Sequence, residues 1–283
     1  MIDTDFIDKN KENKPLCYYC FDFDDNILNM NTLIHIDQRV NGKWMPIDIS
    51  TSIFRNIRSE IYKHNSGQDT DWRFRNDDVL QTYSEFRDTG PRGENAFYDD
   101  VLKAIKTKNF GPVWDTFIQC LINGSIFLII TARGHEPESI KKVVKWIINN
   151  YLNDNQKSLM IENLKKFNVL FSVNDNNWTN NQLIDFYLIF CEFIGINSKY
   201  FINKHGKYDP SKPEQGKELG ISDFVDKIYK FGKQVKKNVS VGFSDDDLST
   251  VQHIYSYIKN ELSLQYTINF NVYYTANGVI KLK

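Results

Sequence analysis

Four short segments hold the residues most able to do chemistry. Residues 21–26 read FDFDDN, at the end of an apolar run. Alternation along a strand sends Asp22 and Asp24 to the same side. Two carboxylates that close repel, and a cation relieves the repulsion. A carboxylate can attack phosphorus to give an aspartyl phosphate. The second carboxyl can then act as general acid, and later as base on water. Alone, such a pair is also an ordinary solvated strand ending. Residues 125–137 read SIFLIITARGHEP, so a buried strand delivers the Thr131 hydroxyl. That hydroxyl and nearby backbone N–H groups can hold phosphate oxygens, although Thr is equally common as a helix cap. Arg133 and His135 follow directly and are placed to line the same site; His135 fits the start of a helix equally well. Residues 211–221, SKPEQGKELGI, offer Lys217, with Lys212 as alternative, to neutralise a phosphoryl group. Residues 239–251, VSVGFSDDDLSTV, end a strand in Asp245, Asp246 and Asp247. Hard oxygen ligands clustered this way suit Mg²⁺. Acid capping of a helix start explains one of these aspartates well and three less well.

In this order the four segments resemble the haloacid dehalogenase superfamily, over roughly residues 14–262. The resemblance implies a Rossmann-like core and a Mg²⁺-dependent phosphatase. Asp22 would be nucleophile and metal ligand. Asp24 would be acid/base and bind the metal through its carbonyl. Thr131 and Lys217 would bind substrate, with Arg133 added by its place beside Thr131 and not by the resemblance, and Asp245 and Asp246 would complete the metal site. An Asp at position 24 favours the phosphatase branch. Two departures stand out. Asp25-Asn26 replaces the usual Gly-Thr, and three successive aspartates leave the metal ligand of the fourth motif ambiguous. The substrate implied is a small phosphorylated metabolite or a nucleotide. The alternatives are a phosphatase of nucleic-acid ends, or a non-catalytic structural or binding protein, phage- or virus-encoded, on the same fold.

Strands and helices must alternate to bring these segments together. Apolar runs at 16–23, 125–130, 239–244 and 266–274 read as strands, with a short strand at 200–203. Helical periodicity appears at 96–106, 113–122, 137–151, 155–168, 183–194, 222–236 and 248–262. This pattern predicts an α/β fold, a parallel sheet with helices on both faces. Ligands of such sheets bind at the carboxyl ends of the strands. Between the first strand and residue 96, Asn41-Gly42 separates two β-rich runs, a hairpin signal with a type I′ turn. Pro46 makes its second arm an edge strand. Ser50 or Thr51 caps a helix with Ile53, Phe54, Ile57 and Ile61 on one face, and 64–95 are polar and turn-rich. The division is thus a polar arm at 1–13, a core at 14–30 and 96–283, and a flap hairpin with a cap insert at 31–95. Arg87 and Arg92 in the insert are candidate anion contacts.

The whole composition fits this picture. The chain has 283 residues, 41% hydrophobic and 25% charged, enough for a sizeable core. The formal net charge of −1 argues against a broad nucleic-acid-binding surface. No run of 18 apolar residues and no signal-like start are present, which points away from membranes and to the cytoplasm, the host's if the chain is virus-encoded. Cys17 and Cys20 form a lone C-x-x-C inside a strand, which reads as buried thiols rather than zinc ligands. The oligomeric state is not legible.

Overall fold

A computed structural model describes residues 15–175, 177–206 and 212–282. The arm at 1–13 lies outside them. The described strands are β1 (Leu16–Phe21), β2 (Ile34–Val40), β3 (Lys43–Ile49), β4 (Trp72–Phe74), β5 (Phe127–Thr131), β6 (Glu192–Gly195), β7 (Val239–Asp245), β8 (Ile268–Tyr274) and β9 (Ile280–Lys281). Six of them form the main sheet in the order β6-β5-β1-β7-β8-β9. Every pairing in it is parallel except β8 with β9. The fold is therefore α/β, with a mostly parallel, Rossmann-like sheet.

β1 sits near the middle and is buried on both faces, which is why it reads as an unbroken apolar run. Cys17, Tyr19 and Phe21 point into one core with Val101, Phe117 and Val144 of three helices. Those helices are Ala96–Lys106, Trp114–Ile122 and Pro137–Trp146. Leu16, Tyr18 and Cys20 point into a second core with Phe224 and Val251. Those two come from helices Pro213–Gln234 and Leu248–Tyr257. All four cysteines are buried, and no disulfide joins any of them. Because the strands run parallel, the carboxyl ends of β5, β1 and β7 lie side by side: Phe21 pairs with Ile129 on one side and Ser244 on the other.

A second sheet, in the order β3-β2-β4, packs between β1 and residue 96 in sequence. Val40 faces Lys43 across the turn, and Asn41 and Gly42 have φ of +50° and +73°, as a type I′ turn requires. Pro46 lies on the edge strand β3, opposite Asp37. The Ser50 hydroxyl accepts from the Ile53 N–H and caps the helix Thr51–Asn65. Phe54 and Ile61 of this helix are buried against Ile34, Ile36, Ile49 and Phe74, whereas Ile53 is exposed.

Several sequence expectations are corrected. The third strand of the small sheet, β4, falls in the stretch read as turns. Residues 192–194, read as the end of a helix, form β6: the helix Asn180–Phe190 stops at Cys191 and the chain pairs with β5. A continuous apolar run does not itself separate buried helix from buried strand. Residues 200–203 belong to a helix, Lys199–His205, capped by Ser198. The helix read from 222 begins at Pro213, which places Lys217 inside it.

Candidate active site

Asp22 follows β1, and its N–H donates to the Ser244 carbonyl at 3.0 Å. Its carboxylate is buried beside those of Asp245 and Asp246; one oxygen from each lies within 4.8 Å of the others. Lys217 reaches them from the second turn of its helix. Its Nζ stands 2.5 Å from Asp22 Oδ1 and 2.6 Å from Asp245 Oδ2, and the side chain is 6% exposed. Lys212, by contrast, is exposed at the helix start. Asp245 also accepts from the Asp247 N–H at 2.9 Å, while Asp247 caps the next helix through Ser249 and Thr250.

One ammonium does not balance three buried carboxylates. Burial pushes Asp22 well above the usual carboxylate range, Lys217 opposes it, and Asp245, Asp246 and Asp24 add to it. Asp246 is pushed up to about 8 by burial and then by Asp245, against the pull of Arg55. Burial works against the charge on Lys217, but Asp22 and Asp245 outweigh it and hold the ammonium protonated. A buried, oxygen-only cluster with negative charge to spare fits a divalent cation.

Asp24 belongs to a second group. The Thr131 hydroxyl donates to it at 3.1 Å, and Arg133 grips it through Nε at 2.9 Å and Nη2 at 2.7 Å. The Arg133 guanidinium is fully buried, 4.4 Å from the Phe86 ring centre and 5.2 Å from that of Phe97. Nη2 also donates to the Thr32 hydroxyl, which donates to Asp100 at 2.7 Å. Arg92, expected as an anion contact, is tied to Asp100 at 2.6 Å and to Glu85 at 3.2 Å. His135 is fully buried, with Nδ1 2.8 Å from Asp88, and is absent from the cleft lining.

A third group comes from the helix Thr51–Asn65. Arg55 pairs with Asp246 and, at 3.2 Å, with Asp25; the Thr51 hydroxyl donates to Asp25 at 2.8 Å; Arg58 pairs with Asp247 at 3.0 Å. Asp25 has φ of +56°, in the left-handed region that favours glycine and that aspartate tolerates better than most residues. Asp25 thus takes up the turn and offers a carboxylate that the small module holds. Asn26 is fully buried. Its amide donates to the carbonyls of Asp22 and Ser244, and its Oδ1 accepts from Thr275, which ties the turn after β1 to β7.

Asp22, Asp24, Thr131, Arg133, Lys217, Asp245 and Asp246 all line one cleft of about 530 Å³ between the main sheet and the small module. Arg55, Arg58 and Asn26 were not singled out from the sequence. Thr51, Arg55 and Arg58 form a polar stripe at helical spacing, and that was the available signal. Asn26 carries no such mark. No protein-family model matches the chain, and neither curated proteins nor solved structures yield a match.

Proposed function

We propose that this protein is a Mg²⁺-dependent phosphohydrolase of the haloacid dehalogenase type, acting on a small phosphorylated metabolite or nucleotide. The observation that carries this reading is a convergence. Asp22, Thr131, Lys217 and Asp245 come from segments far apart in sequence, and all four meet in one cleft at the carboxyl ends of β1, β5 and β7. Asp22, Asp245 and Asp246, with the Asp24 carbonyl, would hold Mg²⁺, which when bound supplies positive charge to the phosphoryl oxygens.

The chain's own residues divide the chemistry. Lys217 holds Asp22 Oδ1, which leaves Oδ2 to attack phosphorus. The ester oxygen departs with the bonding pair and takes a proton from the Asp24 carboxyl. Asp24 then removes a proton from water, whose oxygen attacks the aspartyl phosphate and releases phosphate and free Asp22. Thr131 and Arg133 fix the orientation of Asp24 through both reactions. Lys217 offsets charge on the transferring group.

The test is turnover of a panel of aryl and alkyl phosphates, with Mg²⁺ and with chelator. Mg²⁺-dependent phosphate release is expected, falling at least about 10³-fold in Asp22→Asn. Full activity of that variant would falsify the nucleophile assignment, and an inert native protein across the panel would turn the reading to a binding role.

A further inference from the structure

The cleft carries more than the acidic cluster. Its outer wall, built by the small module, is apolar: Ile34, Phe54, Val79, Leu80, Tyr83 and Phe86 face it. Leu80 is 62% exposed although it belongs to this wall. Phosphate alone needs no such surface, and an apolar wall beside a polar centre fits a ligand with an apolar body.

The cations of the cleft are not equivalent. Arg55, Arg58, Arg133 and Lys217 each have a carboxylate partner. Arg87 lines the same cleft and has no ion pair among the described residues. Its Nε donates to the Tyr83 carbonyl at 3.3 Å, and burial pulls its pKa down although Asp78, which makes no ion pair with it, pulls the other way. The backbone around it is fixed. Arg87 bridges to Gly134, whose N–H donates to the Phe86 carbonyl at 2.8 Å, just past Thr131 and Arg133. A half-buried guanidinium held in place without a carboxylate in ion-pair contact is prepared for a ligand anion.

We infer, on the phosphohydrolase reading of the same cleft, that the substrate is a phosphate monoester whose leaving group joins an apolar, ring-sized body to a second anionic group, and that Arg87 binds that anion. The apolar body lies along the Phe54–Leu80–Tyr83 wall, and the ester phosphate lies at Asp22. The second anion is a carboxylate or a second phosphate, since a guanidinium pairs with both.

Binding of phosphonates, which are not hydrolysed, tests this apart from catalysis. Methylphosphonate, benzylphosphonate, its 3- and 4-carboxy derivatives and the bis-phosphonate of para-xylene are titrated into the full chain with Mg²⁺ by calorimetry. Benzylphosphonate is expected to bind at least about tenfold more tightly than methylphosphonate, and Leu80→Asn to shrink that ratio. One carboxy or bis-phosphonate compound is expected to gain a further tenfold or more, and which one names the second anion. In Arg87→Gln that second ratio should fall to about one. No gain from either second anion, or no gain from the ring, overturns the inference. So does an equal loss for every phosphonate in Arg87→Gln, which would place Arg87 on the phosphoryl group itself. The expected binding pattern without turnover of any aryl phosphate would sustain the ligand class and refute the hydrolase.

Discussion

Lys217 concentrates the electrostatics of the site in one side chain. It lies in contact with Asp22 and Asp245, and Asp246 adds a third buried carboxylate close by. Removing one partner of a buried charge cluster costs about 3–5 kcal/mol, because the remaining charges stay uncompensated. Lys217→Met should therefore lower the urea midpoint in chelator. Mg²⁺ should restore more of that loss in the variant than it adds to the native protein, since a cation can then serve all three carboxylates. Equal Mg²⁺ effects on the two proteins would argue against a shared cation site. At this scale the sequence was informative where chemistry demands a residue type. Asp22, Asp24, Thr131 and Lys217 were all legible by type and order. Arg55 was not, because its partners Asp25 and Asp246 are 30 and 191 residues away, and only the folded chain brings them together.

Arg55 and Arg58 make the helix Thr51–Asn65 the element that joins the small module to the acidic cluster. Arg55 neutralises part of Asp246, which the proposed function makes a metal ligand. Arg55→Ala should raise the affinity for Mg²⁺ about tenfold in a calorimetric titration, about 1.4 kcal/mol. It should also speed amide exchange in residues 51–65, whose tie to the core is loosened. Unchanged affinity would mean that Asp246 does not take part in metal binding. A second element prediction concerns Gly195, at the end of β6. A Cβ there would lie 2.4 Å from the His135 carbonyl and 2.8 Å from that of Arg133. Both atoms are backbone, so the loop after β5 must move. Gly195→Ala should lower stability by about 1–3 kcal/mol, read by urea unfolding. Strand and helix ends were less legible than residues. The run 183–194 is apolar but for Asp185 and Glu192, so neither periodicity nor composition marks where the helix Asn180–Phe190 gives way to β6. The Asn41-Gly42 hairpin was legible because φ is positive at both turn residues, which few side chains tolerate.

The two sheets form one molecule because polar groups of the small module are buried in the core. Thr32 and Asp100 connect to Arg133, and Asp88 accepts from His135, from the Glu136 N–H at 2.8 Å and from the Ser139 hydroxyl at 3.0 Å. Asp88 thereby anchors the residue 83–95 segment to the start of the helix Pro137–Trp146. Burial lowers the pKa of His135, an effect Asp88 opposes and Arg133 reinforces. Burial raises that of Asp88, but its hydrogen bonds to His135, Glu136 and Ser139 outweigh this and leave it lowered. Both groups therefore favour the fold at higher pH. The His135 contribution is complete above its unfolded value, about 6.5, and is lost as pH falls toward its lower folded value. The Asp88 contribution is complete above about 4 and is lost only in stronger acid. Between pH 7 and 5 the histidine alone of this pair titrates. Asp22 and Asp246, held above the usual carboxylate range, act with the opposite sign over that interval, so the histidine's share is read as a difference: if the two modules unfold together, the urea midpoint of the native protein should fall relative to that of His135→Gln between pH 7 and 5. In His135→Gln the amide can still donate to Asp88 but does not titrate. Parallel pH dependences in the two proteins would assign no acid sensitivity to His135. Two separate unfolding transitions, with only the first depending on pH, would show that the Asp88 anchor does not couple the modules.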